Sequence, residues 1–275
     1  MATTIPTRTE PVQETIHGVK VADPYRWLEN GDSAEVRSWT EQQNRFLRQT
    51  LDAVPSRKRL VDRLWALHGI GTLEAPVPKG KGRATRYFYT RREGQQNQNV
   101  FDDFIAAAEF LVSEKITSRD RLAISGRSNG GLLVAAAITQ RPDLFHAALC
   151  GVPLTDMVRY HRFRIARLWI PEYGSAEDPE QFKFLYAYSP YHHVKDGTAY
   201  PATLVFAAES DSRVDPLHAR KFVARLQAAQ SGPGPILLRM EGQAGHGAGK
   251  PLGKLMEQQA DEMAFLFGQF GLGVP

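Results

Sequence analysis

A G-x-S-x-G motif between a strand pattern and a helix pattern is the feature that most restricts the fold of this chain. The apolar residues 122–124 lead into Gly126-Arg127-Ser128-Asn129-Gly130, and a second apolar run follows at residues 131–137. A strand, a sharp turn and a helix in this order form a nucleophile elbow, in which small residues let strand and helix crowd together while the serine hydroxyl points outward. Ser128 is therefore a candidate nucleophile. Alternatively, it only caps the helix predicted for residues 129–140.

Two later strand patterns end in the residue types that a serine nucleophile requires. A hydroxyl attacks only when a base takes its proton and a carboxylate orients that base. In α/β-hydrolases the acid and then the histidine follow the serine along the chain. The strand pattern at residues 202–208 runs into a loop with Asp211, and the pattern at residues 235–240 precedes a loop with His246. The carboxyl ends of parallel strands share one edge of a sheet, so Asp211 and His246 are the candidate acid and base.

Other acids and histidines are weaker candidates on position alone. Glu209 could supply the carboxylate, although it lies nearer the strand end. Asp215 precedes Pro216 and has the position of a helix cap. The other histidines follow no strand end beyond Asp211; they are His17, His68, His146, His161, His192, His193 and His218.

Helix and strand patterns alternate along the second half of the chain, which is typical of a parallel, doubly wound sheet. The predicted class is therefore α/β, with a partial, α/β-hydrolase-like sheet that a long lid-like insertion at residues 153–199 interrupts. Strands are predicted at residues 122–125, 147–152, 202–208 and 235–240, and helices at residues 102–115, 129–140, 216–230 and 252–270.

Three parts are predicted along the chain: a helical amino-terminal arm, a linker and an α/β catalytic domain. Their bounds are residues 1–73, 74–100 and 101–275. Helical periodicity in the arm would place Trp39, Phe46 and Leu47 on one face. The helices of the arm are predicted at residues 33–51 and 56–67. The linker is rich in proline and glycine before it becomes strand-like.

The composition argues against nucleic-acid, metal and cofactor binding. The net charge is +4, yet the basic residues are scattered, and their densest run, residues 79–92, holds three aromatic residues. Basic and aromatic residues together can bind nucleic acid, but we favour a solvated hairpin with one apolar face. Residues 245–250 match a phosphate-binding loop only in part, since Ala244 and Pro251 stand where glycine and Ser/Thr belong. No Cys/His cluster has metal-site spacing, so no metal and no cofactor are expected.

Cysteine usage and hydropathy indicate a soluble protein. The single cysteine, Cys150, excludes an internal disulfide framework, and it lies in an apolar run, so we expect it to be buried. Residues 1–14 are polar, unlike the apolar centre of a signal peptide, and no apolar stretch approaches membrane-spanning length. A cytoplasmic location without a membrane partner is predicted. A periplasmic protein with its signal already removed stays as the alternative.

Several motifs resemble one family of serine peptidases, and they occur in that family's order. Residues 101–275 are similar to the peptidase domain of the prolyl oligopeptidases, and the arm is similar to that family's arm. The matching motifs are D-P-Y-R-W-L-E at residues 23–29, R-Y-F-Y at 86–89, F-D-D-F at 101–104, G-R-S-N-G-G at 126–131, R-P-D-L-F at 141–145, Y-S-P at 188–190, D-S-R-V at 211–214 and G-H-G at 245–247. The resemblance implies cleavage of peptide bonds on the carboxyl side of proline through an acyl-enzyme, with a triad at Ser128, Asp211 and His246.

The resemblance also implies a substrate site for short proline-containing peptides. Trp169 matches a tryptophan that stacks on the proline ring, and a flat aromatic face suits that apolar ring. Without its motif, Trp169 would be taken for an ordinary core aromatic. Tyr173 and Val214 match the pocket wall, and Arg213 matches an arginine that donates to a substrate carbonyl. Asn129 follows the nucleophile, so its backbone N–H is the expected first donor to the oxyanion.

One large part of the family's usual chain has no counterpart here. Family members carry a seven-bladed β-propeller between the arm and the rest of the hydrolase domain. This chain passes from residues 86–94 almost directly to Phe101 and contains no repeat of about 40 to 50 residues. We expect an internal deletion or a gene fragment, which by resemblance also removes the first strands of the sheet and the tyrosine that is the second oxyanion donor. Loss of one such donor lowers turnover by about 10²–10³.

The expected loss has one structural consequence and leaves two alternatives for function. The strand near residues 122–125 would form an unpaired apolar edge unless residues 86–90 or a second chain covered it. Self-association through this edge is therefore a predicted interaction. The main hypothesis is a peptidase with reduced activity. The alternatives are a promiscuous esterase, because an activated ester needs less help at the oxyanion, and a non-catalytic remnant that folds or binds peptide.

Overall fold

A four-stranded parallel sheet forms the centre of the protein. The computed structural model describes residues 4–68, 97–242, 245–246 and 251–273. A separate antiparallel hairpin consists of β1 (Gln13–Ile16) and β2 (Val19–Ala22). The parallel sheet contains β3 (Ala123–Arg127), β4 (Ala147–Gly151), β5 (Ala202–Ala208) and β6 (Ile236–Glu241), in the spatial order β3-β4-β5-β6.

Eight α-helices accompany the strands in the described part of the chain. They are α1 (Ala34–Leu51), α2 (Arg57–His68), α3 (Asn97–Ser113), α4 (Asn129–Gln140), α5 (Ile170–Tyr173), α6 (Pro179–Tyr188), α7 (Leu217–Ala229) and α8 (Leu252–Phe270). Helix α4 connects β3 to β4, α7 connects β5 to β6, and α8 follows β6.

Helices pack on both faces of the sheet, which confirms the predicted α/β class. Ala147 and Leu149 of β4 belong to a cluster with residues of α1 and α8. Ala148 and Cys150, which point the other way, belong to a cluster with residues of α3, α4 and α7. Because both faces are covered, β4 and β5 are continuous apolar runs rather than alternating ones. Cys150 is fully buried, as its position in the apolar run predicts.

Most predicted elements lie within two residues of the observed ones, and one differs more. Helix α4, strand β5 and helix α8 have the predicted bounds. Helix α3 begins at Asn97, five residues before the start predicted at Asp102, so the predicted border between residues 100 and 101 falls inside a helix. The strand-like residues 86–90, and the pairing with β3 considered for them, lie outside the described residues. Among the described strands, β3 pairs only with β4.

Helix α1 of the amino-terminal arm packs on one face of the sheet and reaches β6, the edge strand opposite β3. Ser33 caps α1 by accepting a hydrogen bond from Val36 N, and Trp39 and Leu47 are buried. Asn44 of α1 binds the backbone of Met240, since its Nδ2 donates to the carbonyl at 3.0 Å and its Oδ1 accepts from the amide at 2.9 Å. This side chain therefore satisfies polar backbone groups on the edge strand that would otherwise need another strand.

The insertion between β4 and β5 packs over the start of α4. It contains α5, α6 and several turns of 3₁₀-helix. Its buried side chains, among them Tyr160, Tyr173 and Leu185, form a cluster with Leu132 and Ala136 of α4. No helix in the described ranges is both long enough and apolar enough to cross a membrane.

Candidate active site

Ser128 lies on a sharp turn between β3 and α4, as the motif predicts. Its φ is 57° and its ψ is −118°, a conformation that residues with a side chain rarely adopt. A Cβ at Gly126 would lie 2.2 Å from the carbonyl oxygen of Gly130, and one at Gly131 would lie 2.5 Å from that of Gly151. The glycines at these two positions thus permit the close approach of strand, helix and neighbouring strand.

The side chain of Ser128 makes no capping hydrogen bond to α4. Its Oγ instead lies 3.1 Å from Nε2 of His246, and Nδ1 of His246 lies 2.7 Å from Oδ2 of Asp211. A carboxylate only accepts hydrogen bonds, so the proton belongs on Nδ1, and Nε2 then accepts from the Ser128 hydroxyl. The three side chains come from three separate loops at the carboxyl edge of the sheet, and the structure brings them together.

The carboxylate of Asp211 is held by its own loop. Asp211 is 1% exposed, and its Oδ1 accepts hydrogen bonds from the backbone amides of Arg213 at 2.8 Å and Val214 at 3.0 Å. The other oxygen, Oδ2, is thereby left to face His246. Because one end is fixed by two backbone donors, the carboxylate can hold the imidazole in a single orientation.

Glu209 and Asp215, the alternative candidates for the carboxylate, lie in surroundings that differ from those of Asp211. Glu209 is exposed. Asp215 accepts from Leu217 N at 3.0 Å at the start of α7, and its other oxygen accepts from Arg164 Nε at 2.8 Å. The helix-capping interpretation of Asp215 therefore agrees with the structure.

The remaining histidines bond to other groups. Ring nitrogens of His17, His146 and His193 lie within 3.0 Å of backbone carbonyls. His192 Nδ1 lies 2.8 Å from Ser189 Oγ. His161 lies 3.3 Å from Glu177, His218 is buried inside the fold, and the side chain of His68 lies outside the described residues.

Asn129 is the first residue of α4. The amides of a helix's first turn have no carbonyl within the helix to bind, and the partial positive charge at a helix amino terminus favours an anion there. The N–H of Asn129, directly after Ser128, therefore has the position and polarity of an oxyanion donor.

Three of the four predicted substrate-binding residues meet in one apolar cluster. Tyr173 and Val214 are buried in the cluster that also holds Leu132 of α4, and Trp169 is partly buried against it. Arg213 is exposed and lies in the Asp211 loop. The cluster therefore lies between helix α4, which follows Ser128, and the loop that holds Asp211.

One group of carboxylates in the described residues has the geometry of a cation site, and sequence reasoning missed it. Asp23, Glu29 and Asp156 each place an oxygen within 4.8 Å of the others. The ammonium group of Lys221 already lies among them. The available signal was a lysine on the apolar face of an amphipathic helix, since Lys221 follows Leu217 by four residues in α7.

Comparison with family models identifies the relatives of the chain. The model of the prolyl oligopeptidase family matches residues 66–273. A second model, described as the amino-terminal β-propeller domain of prolyl oligopeptidase, matches residues 6–104. In the described part of that second match the structure contains the β1–β2 hairpin and helices α1, α2 and part of α3.

Individual relatives agree with the models. A prolyl endopeptidase of Elizabethkingia miricola is 44% identical over 214 residues, which are 78% of this chain and 30% of the relative. Prolyl oligopeptidase ophP of Omphalotus olearius is 45% identical over 201 residues, which are 71% of this chain and 27% of the relative. The chain thus matches less than a third of the length of these relatives.

Solved structures show the same likeness. One from a study of two prolyl endopeptidases has a TM-score of 0.63 and 57% identity, and the match covers 65% of this chain and 26% of that one. Prolyl oligopeptidase B of Galerina marginata, bound to a 35-residue substrate, has a TM-score of 0.62 and 39% identity over 66% of this chain and 26% of its own. On the match of more than half its residues to the family model, this chain belongs to the prolyl oligopeptidase family.

Proposed function

We propose that this chain is a serine peptidase that hydrolyses peptide bonds on the carboxyl side of proline. The observation that carries the proposal is the chain of hydrogen bonds from Ser128 through His246 to Asp211, built on a strained turn. Such an arrangement generates a nucleophile from an otherwise unreactive hydroxyl. The relatives are named prolyl endopeptidases and oligopeptidases, which supports the choice of an amide next to proline as the substrate.

The reaction would proceed by two acyl transfers. The Ser128 oxygen attacks the substrate carbonyl while Nε2 of His246 takes the hydroxyl proton. His246 then gives that proton to the leaving amine, and the acyl group remains on Ser128. Water, deprotonated by the same nitrogen, releases the acid and restores Ser128. Throughout, Asp211 stabilises the imidazolium and keeps the proton on Nδ1.

The oxyanion that forms in each transfer would be bound by the N–H of Asn129. This donor belongs to the backbone at the start of a helix, so it is already oriented when the charge develops. We assign no second donor from the described residues, so the chain is expected to act more slowly on amides than on activated esters.

Recognition of proline would use the apolar cluster beside the turn. Trp169 is only partly buried against the cluster that holds Tyr173 and Val214, so part of its ring remains available for a flat, apolar pyrrolidine ring. Arg213, exposed in the acid loop, would donate to a substrate carbonyl upstream of that proline.

Hydrolysis of paired substrates tests the proposal. We expect cleavage of a peptide p-nitroanilide with proline before the scissile bond to exceed that of its alanine analogue. Ser128→Ala should abolish cleavage, and Asp211→Asn should lower it by about 10⁴ through the wrong imidazole tautomer. Hydrolysis of p-nitrophenyl acetate alone, dependent on Ser128, would indicate the esterase instead. If neither substrate is hydrolysed above the level of Ser128→Ala, the chain is not a catalyst.

A further inference from the structure

A fully buried ammonium group joins three distant parts of the chain. Nζ of Lys221 in α7 lies 2.8 Å from Asp23, 2.9 Å from Glu29 and 2.7 Å from Asp156. Asp23 and Glu29 belong to the arm, while Asp156 follows β4. The ammonium group also lies 4.7 Å from the ring centre of Tyr191. The side chain of Lys221 is 0% exposed.

Electrostatics require that these groups remain together. Burial alone would lower the pKa of Lys221, but the three carboxylates more than offset it and raise that pKa. Likewise, burial alone would raise the pKa of Asp156, whereas Lys221 holds it well below its usual range. Lys221, Asp156 and Asp23 are therefore charged. Removing Lys221 would leave the fully buried carboxylate of Asp156 without its ion-pair partner, which is strongly unfavourable. The cluster consequently allows one relative arrangement of arm, α7 and the segment after β4.

Two of the joined parts lead directly to the catalytic side chains. Helix α7 begins a few residues after Asp211, in the same loop. The segment with Asp156 begins after Gly151, whose carbonyl accepts a hydrogen bond from Ser128 N at 2.9 Å. His218 of α7 links the two again, because its Nδ1 accepts from Asp156 N at 3.1 Å. A displacement of α7 against this segment would thus change the separation between the loops of Asp211 and Ser128.

We propose that Lys221 is a positioning residue for catalysis, which fixes α7 against the arm and the segment after β4 and thereby sets the spacing of Ser128, His246 and Asp211. The inference rests on the proposed function, since it assigns a role in that same reaction. Lys221 itself touches neither substrate nor the reacting atoms. A misplacement of about 1 Å at a reacting centre can cost about 10²-fold in rate, so a small shift is sufficient.

A matched variant separates positioning from ordinary stabilisation. Gln227 also lies in α7, is buried and binds the arm, through Gln43. It lies six residues beyond Lys221, farther from the Asp211 loop. Both Lys221→Met and Gln227→Met should lower the unfolding midpoint, but only Lys221→Met should disturb the active site. Each variant is compared with the parent below its unfolding transition, where its circular dichroism is native.

Two measurements show whether Lys221 positions the active site or only stabilises the fold. The first is the downfield proton resonance of His246 Nδ1–H, assigned by its loss in His246→Gln. The second is the rate at which a fluorophosphonate labels Ser128. We expect Gln227→Met to keep both as in the parent, and Lys221→Met to lose or shift the resonance and to label about 10- to 100-fold more slowly. An unchanged resonance and an unchanged rate in folded Lys221→Met would overturn the proposal.

The role of Lys221 can still be tested if Lys221→Met does not fold or if the parent is not labelled. If Lys221→Met does not fold, Glu29→Gln removes one carboxylate while keeping the shape, and we expect the same changes at smaller size. Parent-like behaviour of Glu29→Gln would then contradict the role of Lys221. If the parent itself is not labelled, the proposed function fails, while the His246 resonance still decides whether Lys221 positions the site.

Discussion

Ser128 is held in a backbone conformation that costs about 1–3 kcal/mol for a residue with a side chain. Its φ of 57° and ψ of −118° direct the hydroxyl away from α4 and toward His246. The conformation persists because Gly126 and Gly131 allow backbone contacts around it that no Cβ would permit. The two motif glycines therefore differ in whether a side chain would fit. A Cβ at Gly126 would collide with the backbone, whereas a Cβ at Gly130 would meet no atom outside its own helix within 4 Å.

This difference predicts that alanine substitution destabilises the protein at Gly126 but not at Gly130. Gly126→Ala would press a methyl group against the carbonyl of Gly130, and we expect a loss of at least about 2 kcal/mol in the free energy of unfolding. Gly130→Ala lies in α4 and should be neutral or stabilising by up to about 1 kcal/mol. Urea unfolding of both variants measures the difference. If both variants lost the same free energy of unfolding, the close backbone contact at Gly126 would be contradicted.

At the scale of elements, α7 and the segment after β4 are joined by a neutral imidazole. His218 is 1% exposed, and its Nδ1 accepts from the amides of Thr155 and Asp156 at 3.3 and 3.1 Å. Burial lowers the pKa of His218 from 6.5 to about 4. Protonation of Nδ1 would also break both hydrogen bonds, so the contact requires the neutral form.

The lowered pKa of His218 predicts a specific dependence of stability on pH. Above pH 6.5 both folded and unfolded chains hold a neutral imidazole, and its contribution is fully present. As the pH falls from 6.5 to 4 the unfolded chain binds a proton that the folded chain does not, so stability is lost, approaching about 3 kcal/mol below pH 4. His218→Asn keeps an acceptor without the titration, and its free energy of unfolding should fall less steeply over this range.

Urea unfolding at pH 7, 6 and 5 measures the slope in both proteins. Because the other titrating groups are shared, the difference between the two slopes reports His218 alone. Parallel slopes would show that His218 is not held neutral.

At the scale of the whole molecule, the arm and the hydrolase layers are joined through a buried amide pair. Gln43 of α1 and Gln227 of α7 each donate to the other's oxygen at 2.9 Å, and Gln227 also donates to the Ile236 carbonyl at 2.9 Å. Both side chains are buried. Together with Asn44 at β6 and the Lys221 cluster, this pair indicates that arm and sheet unfold as one unit.

A double-mutant cycle measures that coupling. Gln43→Leu or Gln227→Leu alone leaves the partner's buried amide unsatisfied, which should cost about 1–3 kcal/mol. The double variant should cost clearly less than the sum of the two single ones, because no unmatched partner remains. A single cooperative transition is expected in every protein. Additive losses, or separate transitions for arm and sheet, would refute the coupling.

The sequence predicts the elbow and the strand ends well because both are local patterns. Glycines beside Ser128 and apolar runs before Asp211 and His246 are visible within a few residues, and parallel strands bring such ends to one edge. The four strands and helices α4 and α7 follow from the same kind of local pattern, whereas α5 and α6 lie in the stretch predicted only as a lid-like insertion. The hydrogen bonds among the three side chains agree with that placement, and their catalytic role stays a prediction.

Local sequence patterns do not predict contacts between residues that are far apart in the sequence. Lys221 reaches Asp23 across 198 residues and Asp156 across 65 residues, and no local pattern pairs them. Helix α3 begins at Asn97 although residues 97–99 are polar. Gln98 there binds Gln140 of α4, so a tertiary contact extends a helix whose apolar period starts later.

The most direct measurement of the central claim is mass spectrometry of the folded chain after reaction with a fluorophosphonate. An activated serine is expected to carry one phosphonyl group at Ser128, with none in Ser128→Ala. His246→Gln, which removes the base, should be labelled far more slowly. Absence of an adduct from the folded parent, or an adduct that forms equally fast without His246, would contradict the account.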